Sequence, residues 1–545
     1  VPPGQQHPLV AMFEDATRFE GETLTRGNNM PGPTERHEDG WAINVPADSG
    51  PAYRNVIMSR KRIARVTPLL ERKDGGTVAG LVQVHDGDLA GATILFVALD
   101  RSDSHGAPGV DGLPLDYMMR STRIVDALPD FAVEDGGVVL NADVHVAAPV
   151  ESATATVTAT TDDDVSEQRT LEVAAGEHTS VQMALPAGHL DPRRFRLTLS
   201  VDADARTESR MRLDSDVRQT LIDLCDFFVE QQDEDGVIAG PGFVDERAVR
   251  ALLVMYDETG KQEYLDAAIR WGDNEIAMQR EDGGYRMGYG ITDQSEACYV
   301  ADGGEIAIGM ARLVSYVPED RREDYIQSLR DYFNYRESFR LDDGTISVGW
   351  VFSERFSEAG GEGRREIAFR SDKSFPFVAL CTLAAASAWQ EITDDPDDRA
   401  MAIHDARWFL DDVEKATGVS AEAAQWAHYF IDDADLRADL EQRMKETLVP
   451  FALESGGWWY SGGGRTAVTL SALAYYYAAI EQSPEALAAI LRGVYRITSP
   501  HSPASVHAVM AGDDLDGDEW RYLAYAAVGL AEVLRPTSTM EGIDE

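Results

Sequence analysis

The stretch Ile306-Ala307-Ile308-Gly309-Met310 is apolar on every side, whereas Asp324-Tyr325-Ile326-Gln327-Ser328-Leu329-Arg330, shortly after it, combines charges with one apolar stripe. A helix that is apolar all round is buried, and a helix with a single apolar stripe lies on an outer surface. These two stretches therefore predict a buried helix followed by an outer helix.

The same alternation continues along the chain from about residue 214. Apolar stretches recur at residues 375–380, 470–475 and 522–527, and a charged amphipathic stretch lies at 435–440. Turn signals recur roughly every 50–60 residues, with one gap about twice as long, which is the size of a helical hairpin with its loops. They are Asp235-Gly236, Asp282-Gly283-Gly284-Tyr285, Asp343-Gly344-Thr345, Ser455-Gly456-Gly457-Trp458 and Asp516-Gly517.

The pattern predicts twelve helices, the even-numbered ones forming an inner ring and the odd-numbered ones an outer ring. We place them near residues 214–232, 244–257, 261–278, 302–317, 321–338, 374–391, 398–415, 421–432, 435–453, 466–481, 484–497 and 518–534. This arrangement resembles the (α/α)6 toroid of six-hairpin glycosidases and of several polysaccharide lyase families. The resemblance is one of architecture, and it implies a carbohydrate-active protein.

The residues before the helices are β-like. Apolar or alternating runs bounded by Asp/Gly turns predict a jelly-roll-like domain over residues 1–130. Short, regularly spaced strands predict an immunoglobulin-like or fibronectin-III-like sandwich over residues 131–213. The predicted fold is therefore N-terminal β-sandwich domains followed by a toroid of six helical hairpins at 214–535 and an acidic tail at 536–545.

The charge of the chain is extreme. It has 95 Asp and Glu against 49 Lys and Arg, for a net charge of -46, and most basic residues are arginines. This composition resembles proteins of extreme halophiles, where concentrated salt screens the self-repulsion. We expect a cell-surface, extracellular or virion-associated protein in a hypersaline environment, with the cytoplasm of a halophile as the alternative.

The same charge argues against nucleic acid as a partner, because there is no basic stripe to displace counterions from phosphates. No apolar run is long enough to span a bilayer, so membrane insertion is not expected. Cys225, Cys298 and Cys381 each lie in an apolar helical run and are expected to be buried free thiols.

Candidate ligand-binding residues lie in the segments that enter the even-numbered helices, which should converge on one mouth with helix N-termini around it. Aromatic rings suit the apolar faces of sugars, and Arg suits hydroxyls or uronates; the alternative for each aromatic residue is the core. The predicted substrate-binding residues are Tyr285, Arg286, Tyr299, Arg370, Trp426, Trp458, Trp459 and Tyr460.

Hydrolysis of a glycosidic bond needs two carboxyl groups, one protonated and one ionised. Asp245, Asp302 and Asp372 each stand at the predicted start of an inner helix. Unsaturated glucuronyl hydrolases resemble this scheme, with an Asp pair at inner-helix openings. The alternative is that these residues are helix N-caps.

Elimination would instead need a Tyr or His base and a group that neutralises a uronate, and His428, Tyr299 and Arg370 could supply these. No metal or cofactor site is expected. A carboxylate-rich turn at Asp514, Asp516 and Asp518 offers only a weak match to a calcium loop, because its glycine is misplaced.

Two functions remain open from sequence. The first is cleavage of an acidic or surface polysaccharide, by hydrolysis in preference to elimination. The second is a non-enzymatic glycan-binding or structural surface or virion protein of a halophilic archaeon or its virus, with a larger assembly as a further expected partner. The expected partner in both cases is a polysaccharide or a glycoprotein glycan.

Overall fold

The computed structural model describes most of the helical region and a smaller part of the β-region before it. Before residue 98 it describes seven strand segments only, and thereafter residues 122–148, 152–175, 177–203, 209–286, 298–341, 344, 346, 349–351, 365–366, 377–413, 418–454, 467–499, 505–510, 515 and 517–542. The chain divides into two compact units, Val1–Ser215 with Ser499–Ala511, and Asp216–Thr498 with Gly512–Glu545.

The first unit contains antiparallel sheets. A five-stranded sheet has the order β3-β2-β5-β6-β7, and β1 pairs with β4. The strands are β1 (Ala16–Arg18), β2 (Thr23–Arg26), β3 (Ala42–Asn44), β4 (Pro51–Tyr53), β5 (Ala64–Arg72), β6 (Thr77–Val84) and β7 (Thr93–Val97). The jelly-roll assignment of residues 1–130 stays a prediction, because most of that region lies outside the described residues.

Seven further strands form two sheets, with the orders β12-β9-β8 and β11-β10-β13-β14. Side chains alternate along them: on β10 Ala155, Val157 and Ala159 are buried and their neighbours face outward. Phe131 and Phe195 pack edge to face between the two sheets. The strands are β8 (Arg123–Glu134), β9 (Gly137–Ala148), β10 (Ala153–Thr161), β11 (Ser166–Val173), β12 (Glu177–Pro186), β13 (Arg194–Asp202) and β14 (Ser209–Asp216).

Among its described residues, the second unit has twelve helices that match the expected ones. They are α1 (Val217–Gln231), α2 (Gly242–Thr259), α3 (Gln262–Met278), α4 (Val300–Leu313), α5 (Glu319–Ser338), α6 (Phe377–Thr393), α7 (Pro396–Asp412), α8 (Val419–Phe430), α9 (Ala434–Arg443, continued by Met444–Leu448 and Val449–Glu454), α10 (Thr469–Tyr475, continued by Tyr476–Ile480), α11 (Pro484–Thr498) and α12 (Gly517–Leu534). Each overlaps a helix expected from the sequence, with ends that differ by a few residues. A short helix, Val506–Met510, belongs to the first unit.

The even-numbered helices form a closed ring. Each of them packs against the next even-numbered helix, and α12 packs back against α2. The odd-numbered helices cover this ring from outside: α1 packs on α2 and α12, α3 on α2 and α4, and α5 on α4. This packing order is the one expected for a toroid of six helical hairpins.

Burial follows the same division. On α2 every residue from Gly242 to Met255 is buried, whereas α5 buries only one stripe that includes Tyr325, Leu329 and Tyr332. Helix α11 is the exception, because it is outer by position yet buried along nearly its whole length. It contacts α1, α9, α10 and α12.

Candidate functional site

The two rims of the ring differ in the length of their connections. Inner helices pass to the next outer helix through short turns, such as Gly260–Lys261 and Ile431–Asp433. Outer helices enter the next inner helix through longer segments, of which residues 279–299 and 339–376 are the longest within this unit. We call the end with the long segments the mouth rim. Three short strands lie there, β15 (Cys298–Tyr299), β16 (Gly349–Val351) and β17 (Arg365–Glu366), paired in that order.

Four inner helices whose first residues and N-caps the structure describes begin at the mouth rim without a side-chain cap. Pro241, Tyr299, Gly418 and Val468 are the N-cap residues of α2, α4, α8 and α10, and none makes a side-chain cap hydrogen bond among the described residues. Several outer helices are capped instead by Asp216, Asp395 and Asp433. At α2, α4 and α8 the partial positive charge of the N-terminus therefore acts on acidic residues of the first turn, Asp245, Asp302 and Glu422, rather than on an N-cap side chain.

Asp302 lies in the first turn of α4 at this rim and is half-buried. It is three residues before Glu305, which points to the toroid axis, and residues at that spacing share one face of a helix. Asp302 is therefore one turn nearer the mouth than Glu305. Burial raises the pKa of the half-buried Tyr299 phenol. The negative charge of Asp302 is the second, smaller cause of this rise.

A buried ion cluster closes the axis below this level. Arg247 on α2 pairs with Glu305 at 3.2 Å and with Glu422 on α8 at 2.8 Å, and Arg250 pairs with Glu422 at 2.5 Å and with Glu246 at 2.8 Å. Helices α2 and α8 stand opposite each other in the ring, so these bonds cross the axis. Every member is almost completely buried. A ligand entering from the mouth rim therefore meets a charged floor rather than a channel.

The carboxyl groups of this axial cluster have different proton affinities. Burial raises the pKa of Glu246 to about 7, even though Arg250 and Arg247 lie beside it. Burial acts on Glu422 in the same direction, but Arg247 and Arg250 outweigh it and lower its pKa. Burial therefore opposes the ionisation of Glu246, whereas the two guanidinium groups favour the ionised form of Glu422.

Asp245, in the first turn of α2, fixes the segment that enters this helix. Its two oxygens accept hydrogen bonds from the amides of Ile238 at 2.9 Å and Ala239 at 2.8 Å, which lie in the segment that enters α2. Burial raises its pKa to about 7. Glu275 on α3 is a buried neighbour whose pKa burial raises to about 8. Asp245 therefore faces the layer between inner and outer helices, away from the axial cluster.

His428 stands near the C-terminal end of α8, at the rim opposite the mouth. Its ring nitrogens bond to the Tyr475 hydroxyl at 2.7 Å and to a Glu441 carboxyl oxygen at 3.0 Å. Burial lowers its pKa. The structure thus separates His428 from Asp302 by the length of the inner helices.

Two of the predicted aromatic residues are core residues in the structure. Tyr285 is fully buried, stacks on Tyr332 and shares a 2.8 Å hydrogen bond with the Ser328 hydroxyl. Trp426 is also fully buried, with the Arg250 guanidinium 5.4 Å from its ring centroid. Arg286 and Tyr299 are half-buried at the mouth rim. Asp372, Arg370, Trp458, Trp459, Tyr460, Asp514 and Asp516 lie outside the described residues.

One rim cluster was not among the predicted site residues. Trp520, in the first turn of α12, stacks on Phe227 of α1 with ring centroids 5.5 Å apart, and both rings are half-buried. The Arg521 guanidinium lies 5.5 Å from the ring centroid of Phe243 on α2. The axial cluster was also missed, although charges at Glu246, Arg247 and Arg250 in an otherwise apolar helix are a signal for it.

Two further findings concern metals and membranes. The described residues hold no group of three or more His, Cys, Asp or Glu side chains that could bind a metal ion. Asp518, from the weak calcium match, lies 3.5 Å from Arg521. No described helix is both long and apolar enough to cross a bilayer. The three cysteines are free and buried, as expected.

No protein-family model and no curated protein matches this sequence. Solved structures with a similar arrangement include a family 76 glycoside hydrolase from a bovine Bacteroides thetaiotaomicron strain, at 8% identity and a TM-score of 0.41 over 75% of this chain and 99% of that one. A metagenome-derived family 9 endoglucanase is 13% identical, with a TM-score of 0.44 over 75% and 99%. The β-1,2-glucanase of Parabacteroides distasonis is 8% identical, with a TM-score of 0.38 over 98% and 88%. Identities and TM-scores of this size assign no activity to this chain.

Proposed function

We propose that the toroid is a glycoside hydrolase that binds a polysaccharide at the mouth rim. The observation that carries the proposal is the position of Asp302, a half-buried carboxylate in the first turn of an inner helix at the rim that bears the long connections. Uncapped helix N-termini beside it favour the negative charge that a catalytic carboxylate needs in one of its roles.

The second carboxyl of the proposed pair is Asp372. It precedes α6, the neighbour of α4 in the inner ring, so the two acidic residues lead into adjacent helices. One carboxyl would protonate the leaving oxygen, and the other would act as base or nucleophile. Asp245 is a weaker candidate, because its carboxyl oxygens already hold the loop amides of Ile238 and Ala239.

The proposed substrate is an acidic or surface polysaccharide of a hypersaline environment, and the net charge of -46 is the support for that setting. Tyr299 and Arg286, half-buried at the mouth rim, would contact it together with Arg370, Trp458, Trp459 and Tyr460. Elimination is the second chemistry. It has less support, because His428 stands at the opposite rim.

The test is an assay of the full chain in molar salt against a panel of polysaccharides, with reducing-end detection for hydrolysis and absorbance near 235 nm for elimination. The variant Asp302→Asn should lower the rate by at least about 100-fold, as expected on removal of a catalytic acid or base. Asp320→Asn is the matched control, because Asp320 is an exposed first-turn acid of α5 at the opposite rim. Equal rates for the two variants would refute the role of Asp302.

One observation favours the alternative of a glycan-binding or structural protein. The axial cluster crosses the toroid axis at the level of the first turn of α8, and two predicted sugar-binding aromatics, Tyr285 and Trp426, are buried. Binding of a polysaccharide with no product in either assay would support this alternative over catalysis.

A further inference from the structure

Residues 535–542 follow α12 and turn back against the ring, and we call them the strap. Within the strap, Ser538, Thr539 and Met540 are fully buried. So short a segment cannot cover three of its own side chains, because burial on that scale needs a core. The helices of the ring therefore supply the cover, and the strap is packed onto them.

The strap crosses the ends of three neighbouring inner helices. Arg535 pairs with Asp257 in the last turn of α2, with 3.3 Å between the charged atoms. The Ser538 carbonyl oxygen accepts a 3.1 Å hydrogen bond from Arg312 in the last turn of α4. Helices α12, α2 and α4 follow one another in the ring, and their C-terminal ends face away from the mouth. The strap therefore covers this part of the rim opposite the mouth.

Glu532, in the last turn of α12, fastens the strap with both carboxyl oxygens. One accepts a 2.7 Å hydrogen bond from the Thr537 amide, and the other a 2.8 Å bond from the Thr539 hydroxyl. Burial raises the pKa of Glu532 to about 7, while the bonds from Thr539 and Thr537 and then the charge of Arg250 act in the opposite direction. Arg250 is the member of the axial cluster that stands one turn beyond Arg247, towards the opposite rim. Glu532 therefore connects the strap to the axial cluster.

The backbone is strained where the strap begins. Thr537 has a φ of 70°, in the left-handed region that a β-branched residue rarely adopts. Such a conformation persists only where the surrounding structure imposes it, and here the bond from the Thr537 amide to Glu532 does so. Because α12 ends at Leu534, the strap can move without breaking any helix of the ring.

We propose that the strap is a gate at the rim opposite the mouth, with Glu532 as its latch. The gate opens locally while the ring stays folded, and water then reaches the axial cluster from that side. Segments held by few contacts open in this way at a lower cost in free energy than the whole fold. The proposal does not depend on the proposed hydrolase activity, because it concerns the other end of the toroid.

Hydrogen–deuterium exchange of the full chain in molar KCl, at several low concentrations of denaturant, tests the gate. Peptides from residues 535–542 report on the strap, and peptides from residues 246–256 of α2 report on the ring. We expect the strap to exchange at least about 10-fold faster than α2, at a rate that does not change with denaturant, as local opening requires. A strap that exchanges at the rate of α2, with the same denaturant dependence, opens only on unfolding and overturns the proposal.

The latch is tested with Thr539→Val, which removes the hydroxyl donor to Glu532 and keeps the shape of the side chain. Loss of one hydrogen bond to a carboxyl group should speed exchange of the strap by about 5- to 10-fold and leave α2 unchanged. Thr393→Val is the matched control, because the Thr393 hydroxyl bonds to the Trp389 carbonyl oxygen at the end of α6, at the same rim. Equal exchange of the strap in the two variants would refute the latch.

Two shortened chains test what the gate covers. A chain that ends at Leu534 lacks the strap, whereas a chain that ends at Gly542 keeps it. The first should stay folded and exchange at least about 10-fold faster in the last turns of α2 and α4, with the first turns at the mouth rim unchanged, and the second should match the full chain. Unchanged protection at those last turns would show that the strap covers nothing. Loss of the melting transition in the first chain would show that the ring cannot stay folded with the gate open, which also overturns the proposal.

Discussion

Gly242, the first residue of α2, has no room for a side chain. A Cβ at this position would overlap the Glu275 carboxyl oxygen and lie 3.0 Å from Ile306 Cδ1, so three helices meet closely at the mouth rim. Gly517 is the first residue of α12, and a Cβ there would meet nothing within 4 Å. The two glycines occupy equivalent places in the inner ring but differ in packing.

We expect Gly242→Ala to lower the free energy of unfolding by about 1–3 kcal/mol, because overpacking forces backbone or side chains to shift. Gly517→Ala should change it by no more than about 0.5 kcal/mol. Chemical denaturation of both variants measures this. Equal effects would mean that the contact of Gly242 with Glu275 is not tight.

Glu275 provides a prediction for pH. Burial raises its pKa to about 8, so the folded protein binds this proton more tightly than the unfolded chain, whose Glu titrates near 4.3. Its stabilising contribution is therefore complete below about pH 4 and is lost as the pH rises through about 8. The free energy of unfolding should fall by on the order of 1–3 kcal/mol between about pH 6.5 and about pH 8.5.

The variant Glu275→Gln cannot ionise and should flatten this dependence. The exposed Glu263→Gln serves as the control and should keep the slope of the wild type. Denaturant titrations at both pH values give the comparison. A slope that is unchanged in Glu275→Gln would contradict a buried, proton-binding Glu275.

Individual residue roles could be predicted from the sequence only in part. The burial of the three cysteines follows from their apolar surroundings. The hydrogen bonds between Asp245 and the loop amides could not be predicted. An Asp near the start of a helix has the same sequence pattern whether it caps the helix, binds loop amides or faces a ligand. Trp426 shows the same limit, since aromatic character alone does not tell core from binding surface.

At the scale of elements, the axial cluster joins helices that are far apart in sequence. Arg247 on α2 reaches Glu305 on α4 and Glu422 on α8, and all three are buried. Periodicity placed the helices well, because inner and outer helices differ in composition over many residues. It could not place these bonds, because they depend on which helices stand opposite each other in the closed ring.

Removing one partner of a buried ion pair leaves an uncompensated charge. We expect Arg247→Met to lower the free energy of unfolding by about 3–5 kcal/mol. Arg218→Met breaks the exposed pair with Glu258, 2.9 Å apart, and should cost less than about 1 kcal/mol. Urea or guanidinium unfolding tests both variants. A cost for Arg247→Met as small as for Arg218→Met would show that the cluster does not hold the inner ring together.

At the scale of the whole molecule, the closed ring could be predicted from the alternation of helix types, and the mouth only from the lengths of its connections. The packing order of the even-numbered helices confirms the ring. The mouth is formed by loops, and the composition of a loop does not determine its conformation. The assignment of Arg370, Asp372 and the aromatic residues at 458–460 to a ligand-binding site therefore stays a prediction. Turn and loop conformations follow from contacts that a single sequence does not show.

The net charge of -46 makes the stability of the whole molecule depend on salt. Raising KCl from about 0.1 M to about 1 M shortens the Debye length from about 10 Å to about 3 Å and so weakens repulsion among the surface carboxylates. We expect the melting midpoint to rise over this range. A midpoint that falls or stays constant would argue against adaptation of this chain to concentrated salt.

The location of the ligand is the claim on which the proposed function depends most. Hydrogen–deuterium exchange of the full chain in molar KCl, with and without the polysaccharide that it binds most tightly, tests it directly. We predict added protection in the first turns of α2, α4 and α12, which include Asp302 and Trp520, and none at the turns Gly260–Lys261 and Ile431–Asp433. Protection confined to those short turns, with the polymer bound, would place the ligand at the opposite rim and contradict the account.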